Sequence, residues 1–360
     1  MIILATKMTR ALGSAILSSG TLPSAGPFPT MDPFLFCVYH KDQYPPGNDV
    51  LEAPRRGNGQ DFDPSSAYRM YHGESIPGFP QHPHRGFETI TATIDGIIDH
   101  ADSVGNAGRY GQGDVQWMTA GAGVCHSEMF PLVDATRDNP TRFFQIWLNL
   151  PARAKMVDPG FAMFWAENVP KWNSPYGKVA VTVWAGQDYF QVDKSNDPPP
   201  HSWASDAGND VSILHMTIQP GGIFTLPKAK AGKHVNRSLF YIEGASGILV
   251  DGQSVPAKSV LTMDATFNVE IELPASVASE NGQFLLLQGK PISEPVAQHG
   301  PFVMNTQREI EQAFADYRRT LFGGWPWPRD DMVFPSGKGR FALLGGTETT
   351  PPIDETKSEL

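Results

Sequence analysis

The sequence has only two cysteines among its 360 residues, Cys37 and Cys125. Two thiols support neither a disulfide framework nor a cysteine-based zinc site, and they suit a reducing compartment. No apolar run approaches the ~18 residues that a membrane-spanning helix needs. We therefore expect a cytoplasmic protein that does not enter a membrane, or a nuclear one if the source is eukaryotic.

Positive charge is also scarce. Lys and Arg number 28 against 38 Asp and Glu, which gives a formal net charge of −10. A surface that binds nucleic acid needs a basic stripe to neutralise phosphates, and no run of basic residues provides one. The composition therefore excludes direct binding of nucleic acid.

Glycine and proline, by contrast, are abundant, with 35 and 32 residues. Such a chain turns often, which favours short strands over long helices. Period-two alternation of β-branched residues begins at "ETITATID", and turn signals then recur every 8–12 residues or so, the spacing of a sandwich or barrel. The Pro-rich stretch 151–172 separates two such sets of strands. We predict an all-β protein with two tandem barrels, one within residues 1–160 and one within 175–324.

One helix is predicted near the C-terminus. Thr306 followed by Glu309 forms a capping box, an N-terminal helix signature. Apolar residues then follow at i, i+3, i+4 and i+7: Ile310, Ala313, Phe314 and Tyr317. Gly323 and Gly324 are expected to end the helix. Residues 325–360 are expected to form an extended acidic tail.

Two short motifs combine histidine and acid side chains. His82, His84 and Glu88 share even parity, so a regular strand through them would direct all three to one face. His126 and Glu128 likewise share a face. Imidazole and carboxylate arms at such spacing can converge on one ion, and this donor set suits iron, nickel, copper or zinc better than calcium or magnesium. The pattern predicts a transition-metal site, with either Glu88 or Glu128 as its acid.

The residues around the second motif have simpler roles. Cys125 has the opposite parity from His126, so we expect it to face away from the metal as a small core residue. Gly121 and Gly123 allow close backbone approach or a positive φ just before the ligands.

Three separated stretches resemble the signature of the pirin family, within the cupin superfamily. They read "HPHRGFETITATIDG", "GDVQWMTAGAGVCHSEM" and "GKPISEPVAQHGPFVMNTQREIEQAFADY", and "MDPFL" adds a fourth short match. The resemblance implies a bicupin, that is, two tandem cupin barrels of the double-stranded β-helix (jelly-roll) type. It also implies that the N-terminal barrel alone keeps a metal, bound by His82, His84, His126 and Glu128.

The second barrel fits that asymmetry. Where an equivalent H-x-H would be expected, the chain reads "IFTLPKAKAGKH", and His215 and His234 are isolated. We therefore expect no second metal there. His40 and His72 lie in or near an unusually long loop, and we expect them to be solvated or to face a substrate rather than bind metal.

The resemblance also implies a function, that of a quercetinase. In that scheme Fe(II), or another divalent transition metal, binds a flavonol through its hydroxyl and ketone oxygens. Glu128 takes the hydroxyl proton, and O₂ then cleaves the heterocycle with release of carbon monoxide. Four residues are candidates to line the pocket, or else to belong to the barrel core: Phe87, Trp117, Met118 and Phe130.

Two other interpretations of the function stay open. The family is also implicated in regulation, with iron as a redox-sensitive element in a protein that binds a transcription factor or a metabolic enzyme. A catalytically inactive barrel stabilised by its metal is the third reading. In each case we expect a monomer.

Overall fold

The computed structural model describes residues 14–190, 192 and 196–352. In this part of the chain the fold is almost entirely β, with a single α-helix, α1 (Gln307–Thr320), as the sequence predicts. The first strands are β1 (Ile16–Thr21), β2 (Phe34–Tyr44), β3 (Gly78–His84), β4 (Phe87–Asp95), β5 (Ile97–Asp102), β6 (Ala107–Gly111), β7 (Val115–Thr119), β8 (Val124–Met129), β9 (Asn139–Asn149), β10 (Gly160–Phe164), β11 (Lys171–Asn173) and β12 (Val179–Ala185). The remaining strands are β13 (Ser212–Ile218), β14 (Gly222–Leu226), β15 (Asn236–Glu243), β16 (Ile248–Val250), β17 (Gln253–Val255), β18 (Ser259–Met263), β19 (Val269–Leu273), β20 (Gly282–Gly289), β21 (Ala297–His299), β22 (Phe302–Met304), β23 (Phe341–Leu344) and β24 (Thr347–Thr349).

The chain divides into two compact units, each built around one barrel. The first barrel consists of Cys37–Asn168 together with the described part of Glu294–Leu360. The second barrel consists of Val169–Ser293 together with the described part of Met1–Phe36. The main segment of the first barrel precedes that of the second along the chain.

The ends of the chain differ from the predicted boundaries of 1–160, 175–324 and 325–360. The first described strand, β1, pairs antiparallel with β18 and so extends a sheet of the second barrel. The helix α1 belongs to the first barrel, although it follows the last strand of the second. Local sequence patterns could not show this exchange, because strand pairing and helix docking depend on contacts between distant residues.

Two sheets form the first barrel. One has the order β10-β7-β4-β9-β2 and the other the order β24-β23-β6-β5-β8-β3. Odd-numbered residues of β4 point inward, since Phe87 packs near His84 and Thr91 donates to Glu128. An apolar cluster that includes Tyr110, Met118 and Phe130 fills part of the interior. The second barrel pairs a seven-stranded with a four-stranded sheet around its own apolar cluster.

The segment expected to be an extended tail is partly ordered on the first barrel. Strand β23 pairs with β6 and forms a hairpin with β24. Phe334 and Phe341 are buried, and the buried Arg109 donates to the carbonyl oxygens of Phe334, Pro335 and Lys338. The prediction of a wholly extended tail is therefore wrong for the described residues, because two aromatic side chains have apolar surface to bury. The last eight residues, 353–360, lie outside the described part.

Helix α1 begins as predicted. Thr306 accepts from the Glu309 amide, and the Glu309 carboxylate accepts from the Thr306 amide, which completes the capping box. Ile310 and Ala313 are buried in an apolar cluster that also contains Cys125. Neither α1 nor any other helix in the described residues has the length and apolar character needed to cross a bilayer.

Candidate metal centre

Three histidines meet inside the first barrel. Strand β3 pairs antiparallel with β8, and this register sets His82 opposite His126. His84 lies two residues further along β3 and therefore on the same face. One ring nitrogen from each of the three histidines lies within 4.8 Å of the others. The H-x-H motif and the histidine of the H-x-E motif thus form one cluster.

The histidine nitrogens test whether a metal fits this cluster. Nδ1 of His82 lies 2.9 Å from the Pro80 carbonyl oxygen, which leaves its Nε2 free to bind a ligand. His126 is fully buried, and neither of its ring nitrogens has a hydrogen-bond partner among the described residues. A buried polar atom without a partner is costly unless an ion or water satisfies it. The cluster therefore fits a divalent metal that prefers imidazole.

A carboxylate stands next to the imidazoles. Oε2 of Glu128 is 3.9 Å from Nε2 of His126. Thr91 donates to its Oε1 at 2.8 Å, and Gln145 donates to its Oε2 at 3.0 Å. The Tyr110 hydroxyl is 3.4 Å from Oε1. These donors hold the Glu128 carboxylate in one orientation inside the barrel.

Glu88, the alternative acid, points elsewhere. The strand that was expected to run through both histidines and Glu88 breaks after His84, because Gly86 has a φ of +86°. The side-chain alternation restarts at Phe87, so parity does not carry across the break. Glu88 is buried and accepts a hydrogen bond from Thr119 at 2.7 Å. The expectation that Glu88 shares a face with the H-x-H motif is therefore wrong.

The turn at Gly86 is fixed by its surroundings. A Cβ there would lie 2.0 Å from the Val303 carbonyl oxygen, so only glycine fits. The buried Lys155 ammonium donates to the carbonyls of Gly86 and Val303 and to Oδ1 of Asn149. Burial lowers the pKa of Lys155 to about 8. These contacts hold the chain immediately after His84.

The residues around β8 behave as expected. Gly123 has a φ of +131°, and a Cβ there would lie 2.7 Å from the Phe322 ring. Gly121 also has a positive φ, of +47°. Cys125 faces away from His126, and its thiol donates to the Leu321 carbonyl oxygen at 3.3 Å.

Burial controls the charge of the cluster. It lowers the pKa of His82 to about 4, and it lowers the pKa values of His84 and His126 well below the ordinary range. Burial raises the pKa of Glu128, while the hydrogen bond from Thr91 opposes that rise. The imidazoles are therefore neutral at pH 7, the state in which they bind metal.

Sequence comparison agrees with the geometry. The Pirin family profile matches residues 19–148, and the profile of the Pirin C-terminal cupin domain matches residues 213–323. Together they cover more than half of the chain. The chain belongs to the pirin family.

Known pirins and related proteins resemble the chain over much of its length. Human Pirin is 32% identical over 280 residues, which cover 77% of this chain and 89% of that protein. A Pseudomonas aeruginosa protein, provisionally named a quercetin 2,3-dioxygenase, is 39% identical over 251 residues, covering 68% of this chain and 79% of its own. A crystal structure of quercetin 2,3-dioxygenase from Acinetobacter baumannii is 25% identical, with a TM-score of 0.65, and covers 86% of this chain and 98% of that one.

The aromatic residues expected around the pirin site separate into three environments. The Phe87 ring lies 5.1 Å from that of His84, beside the cluster. Met118 and Phe130 belong to the apolar core. Trp117 pairs across strands with Ile90 and so faces away from the barrel interior.

Sequence reasoning missed several residues of this pirin site. The Trp147 ring lies 5.5 Å from that of His84, and His100 lies 5.4 Å from His126. Thr91 and Gln145 hold the Glu128 carboxylate, as described above. Thr91, Gln145 and Trp147 stand in no motif with metal-ligand spacing, whereas His100 has Asp102 two residues further on, the same spacing as His126 and Glu128. Only the pairing of β4, β5, β8 and β9 brings them to the cluster.

The two loop histidines have different environments. His40 is buried rather than solvated, with Nδ1 2.8 Å from the Tyr71 hydroxyl and its ring 4.5 Å from Phe143. His72 is exposed, and its Nδ1 lies 2.6 Å from the Gly59 carbonyl oxygen. The expectation of a solvated His40 is therefore wrong, because an aromatic environment in the barrel encloses its ring, while contact with a substrate stays a prediction.

The neutral histidines predict how the stability of the metal-free pirin depends on pH. Burial also lowers the pKa of His40, to about 3. An unfolded histidine titrates near pH 6.5, so the unfolded chain takes up these protons first as the pH falls. His40, His82, His84 and His126 therefore contribute full stability above about pH 6.5, and this is lost as the pH falls toward 4, by up to ~1.4 kcal/mol per pH unit for each histidine.

Urea denaturation of the metal-free protein at pH 7.5, 6.0 and 5.0 measures this loss. A variant with His40 replaced by glutamine should show a shallower dependence, because one of the four groups is absent. A free energy of unfolding that stays constant from pH 7.5 to 5.0 would contradict neutral, buried histidines.

Proposed function

We propose that this protein is a metal-dependent dioxygenase that opens the heterocycle of a flavonol with O₂ and releases carbon monoxide, the reaction of a quercetin 2,3-dioxygenase. The observation that carries the proposal is the buried cluster of three neutral imidazoles with a carboxylate 3.9 Å away. The names of the Pseudomonas and Acinetobacter relatives support the reaction class.

The proposed metal ligands are His82, His84, His126 and Glu128, and the proposed metal is Fe(II), with other divalent transition metals as alternatives. When bound, the metal supplies Lewis acidity toward the flavonol oxygens and redox chemistry toward O₂. Burial among apolar side chains keeps the imidazoles neutral and excludes competing water.

Glu128 is the proposed base for the flavonol hydroxyl. Burial raises the pKa of this carboxyl, which brings it closer to the working pH of a general base. Thr91 and Gln145 donate to different oxygens of the carboxylate and fix its direction. The proton from the substrate is therefore received at an atom that is already positioned.

The proposed entrance is on the side of His82. This histidine is half-buried, whereas His84 and His126 are fully buried. A row of neighbouring rings leads outward from His82. The Phe79 ring lies 6.3 Å from that of His82, the His72 ring lies 5.6 Å from that of Phe79, and the Phe62 ring lies 4.9 Å from that of His72. Faces of this kind suit a flat aromatic substrate.

Reconstitution with Fe(II) tests the proposal. The metal-free protein is loaded anaerobically and mixed with quercetin in air. Loss of flavonol absorbance together with carbon monoxide release, both dependent on iron, is the expected result. Stoichiometric iron binding without turnover of a panel of flavonoids would contradict the enzyme and favour an iron-binding regulatory protein.

A pair of matched substitutions tests the proposed base. Glu128→Gln keeps the size of the side chain but removes the acceptor charge, so we expect the rate constant for turnover to fall by ~100-fold or more. Glu88→Gln makes the same change at a buried carboxylate outside the cluster and should leave turnover within a few-fold of wild type. Steady-state kinetics with quercetin, at matched iron content, give the comparison. Equal losses in the two variants would contradict a specific role for Glu128.

Phe62 is the proposed outer contact for the substrate. Its side chain is 41% exposed although it is large and apolar. Phe62→Ala should raise KM by about 5–30-fold, which corresponds to the ~1–2 kcal/mol of a lost aromatic contact, and should leave kcat and iron content unchanged. Phe267→Ala, a comparable change at an exposed residue of the second barrel, serves as the control. A fall in kcat at unchanged KM would argue against an entrance role.

A further inference from the structure

A buried guanidinium lies inside the second barrel, remote in sequence from the histidine motifs. Arg237 stands on β15 and shares its face with Leu239, which belongs to the apolar cluster of this barrel. The Arg237 side chain is only 1% exposed. A charged side chain this deeply buried normally has an opposite charge in contact.

The contacts of Arg237 leave part of it unsatisfied. Its Nε donates to Oε1 of Gln288 at 2.7 Å, and its Nη2 donates to the Pro227 carbonyl oxygen at 2.8 Å. Its Nη1 is buried and has no hydrogen-bond partner in the described part of the chain. Both acceptors are neutral, so neither compensates the positive charge.

The acid nearest to this network, Asp210, acts on Arg237 only through space, where its charge favours the protonated guanidinium, and its own hydrogen bonds are directed elsewhere. Asp210 accepts from the Tyr189 hydroxyl through Oδ1 and from the Ala231 amide through Oδ2. No ion pair of Arg237 occurs among the described residues. Burial lowers the pKa of Arg237 to about 10, which still leaves the guanidinium charged at pH 7.

A second buried polar atom without a hydrogen-bond partner lies two strands away from Arg237, on the same face of the sheet. Cross-strand pairing places Arg237 beside Gln288 and Gln288 beside Ser212, all on the interior face. The Ser212 hydroxyl is also buried without a partner among the described residues. The row therefore offers two unused donors, one on each side of Gln288.

The chain segment that contacts Arg237 is itself basic. Nη2 of Arg237 donates to Pro227, and the residues that follow read "KAKAGKH". Their charged or polar side chains are exposed on the surface: Lys228, Lys230, Lys233 and His234. Lys230 is paired with Asp188 at 3.2 Å, and the other lysines of this segment raise the local concentration of anions at the end of the barrel where Arg237 lies.

We propose that the second barrel binds a small monovalent anion at Nη1 of Arg237. The anion supplies the acceptor that Nη1 lacks, and it adds a negative charge in contact to the one that Asp210 provides at a distance. Only one guanidinium nitrogen is unused and it is enclosed, so the site takes an anion of the size of formate, acetate or chloride rather than a phosphate ester. The segment 227–235 must move to admit it. The second cupin would then be a ligand-binding domain in which an arginine, rather than a metal, provides the positive charge.

Anion titrations of the full-length protein test this inference. Thermal unfolding is followed with the sodium salts of formate, acetate and chloride at constant ionic strength, balanced with sodium sulfate. At least one monoanion should raise Tm in a saturable manner, by about 2–4 °C once it is well above its Kd. The identity of the effective ion separates a carboxylate ligand from a halide.

Variants assign the effect to the proposed site. Arg237→Met should abolish the saturable shift, whereas Arg318→Met, the same change at an exposed position of α1, should retain it. If Arg237→Met does not fold, Arg237→Lys decides the matter, since it keeps the positive charge but removes Nη1 and should weaken the anion several-fold at unchanged iron content. A shift that follows ionic strength alone, or that persists unchanged in Arg237→Met or in Arg237→Lys, would overturn the inference. Iron binding and turnover are separate readouts, so failure here leaves the proposed dioxygenase untouched.

Discussion

His84→Ala is expected to remove quercetin turnover and to weaken iron binding by more than the roughly 10–100-fold that the loss of a partner outside the ligand set costs. His84 is 3% exposed, and its ring lies 4.8 Å from that of His82 and 4.9 Å from that of His126. Its removal takes one of three imidazoles from the cluster.

The fold should survive this substitution. In the metal-free protein His84 is a neutral, buried side chain, so its loss leaves a small cavity rather than an uncompensated charge. Iron content by metal analysis, flavonol absorbance and carbon monoxide release are measured on the same sample. His201→Ala, at an exposed histidine of the second barrel, is the matched control and should behave as wild type. Full iron content and turnover in His84→Ala would remove the metal centre from the proposal.

Arg109→Met is expected to lower the free energy of unfolding of the first barrel by ~3–5 kcal/mol, the usual cost of removing one partner of a buried ion pair. Arg109 is 2% exposed and Asp99 is fully buried, and two guanidinium nitrogens of Arg109 each lie 2.7 Å from a carboxylate oxygen of Asp99. Asp99 also accepts from the Phe334 amide at 2.8 Å. The substitution therefore leaves a buried carboxylate and three backbone carbonyls without their main donor.

The free energy of unfolding that Arg109→Met loses should depend on pH. Burial raises the pKa of Asp99, and Arg109 opposes that rise. Without Arg109 the Asp99 pKa rises further, so the folded variant can take up a proton and relieve the charge as the pH falls. We expect a larger difference from wild type at pH 8 than at pH 5.5.

Urea denaturation at the two pH values measures this effect, with a probe in the first barrel because a chain of two units need not unfold in one step. Arg137→Met is the matched control. Arg137 is also paired with an aspartate, since its Nε lies 2.8 Å from a carboxylate oxygen of Asp134, but its side chain is 85% exposed. The unfolding midpoint of the Arg137→Met variant should therefore equal that of wild type. Limited proteolysis should also cut after residue 330 sooner in Arg109→Met than in either wild type or the control. Identical midpoints in all three proteins would show that Asp99 and Arg109 do not anchor this segment.

The sequence determined the fold class and the shared face of His82 and His84 because both depend on local patterns. Alternation with period two gives a strand two faces, so His82 and His84 had to share one face once that segment was a strand. The glycine and proline content favoured many short strands, and the capping box at Thr306 marked the α-helix that the described residues contain. The resemblance to pirins then supplied the double-cupin arrangement, which the family profiles confirm.

Tertiary structure decided what depends on distant pairing. A positive φ at Gly86 separated Glu88 from the histidine face, a change that parity arguments cannot detect. Pairing of β1 with β18 and of β23 with β6 assigned the ends of the chain to units that local patterns did not predict. The packing of Gln145 and Thr91 against Glu128, and the burial of Arg237 without an ion-pair contact in the described residues, likewise arise only where strands far apart in sequence become neighbours.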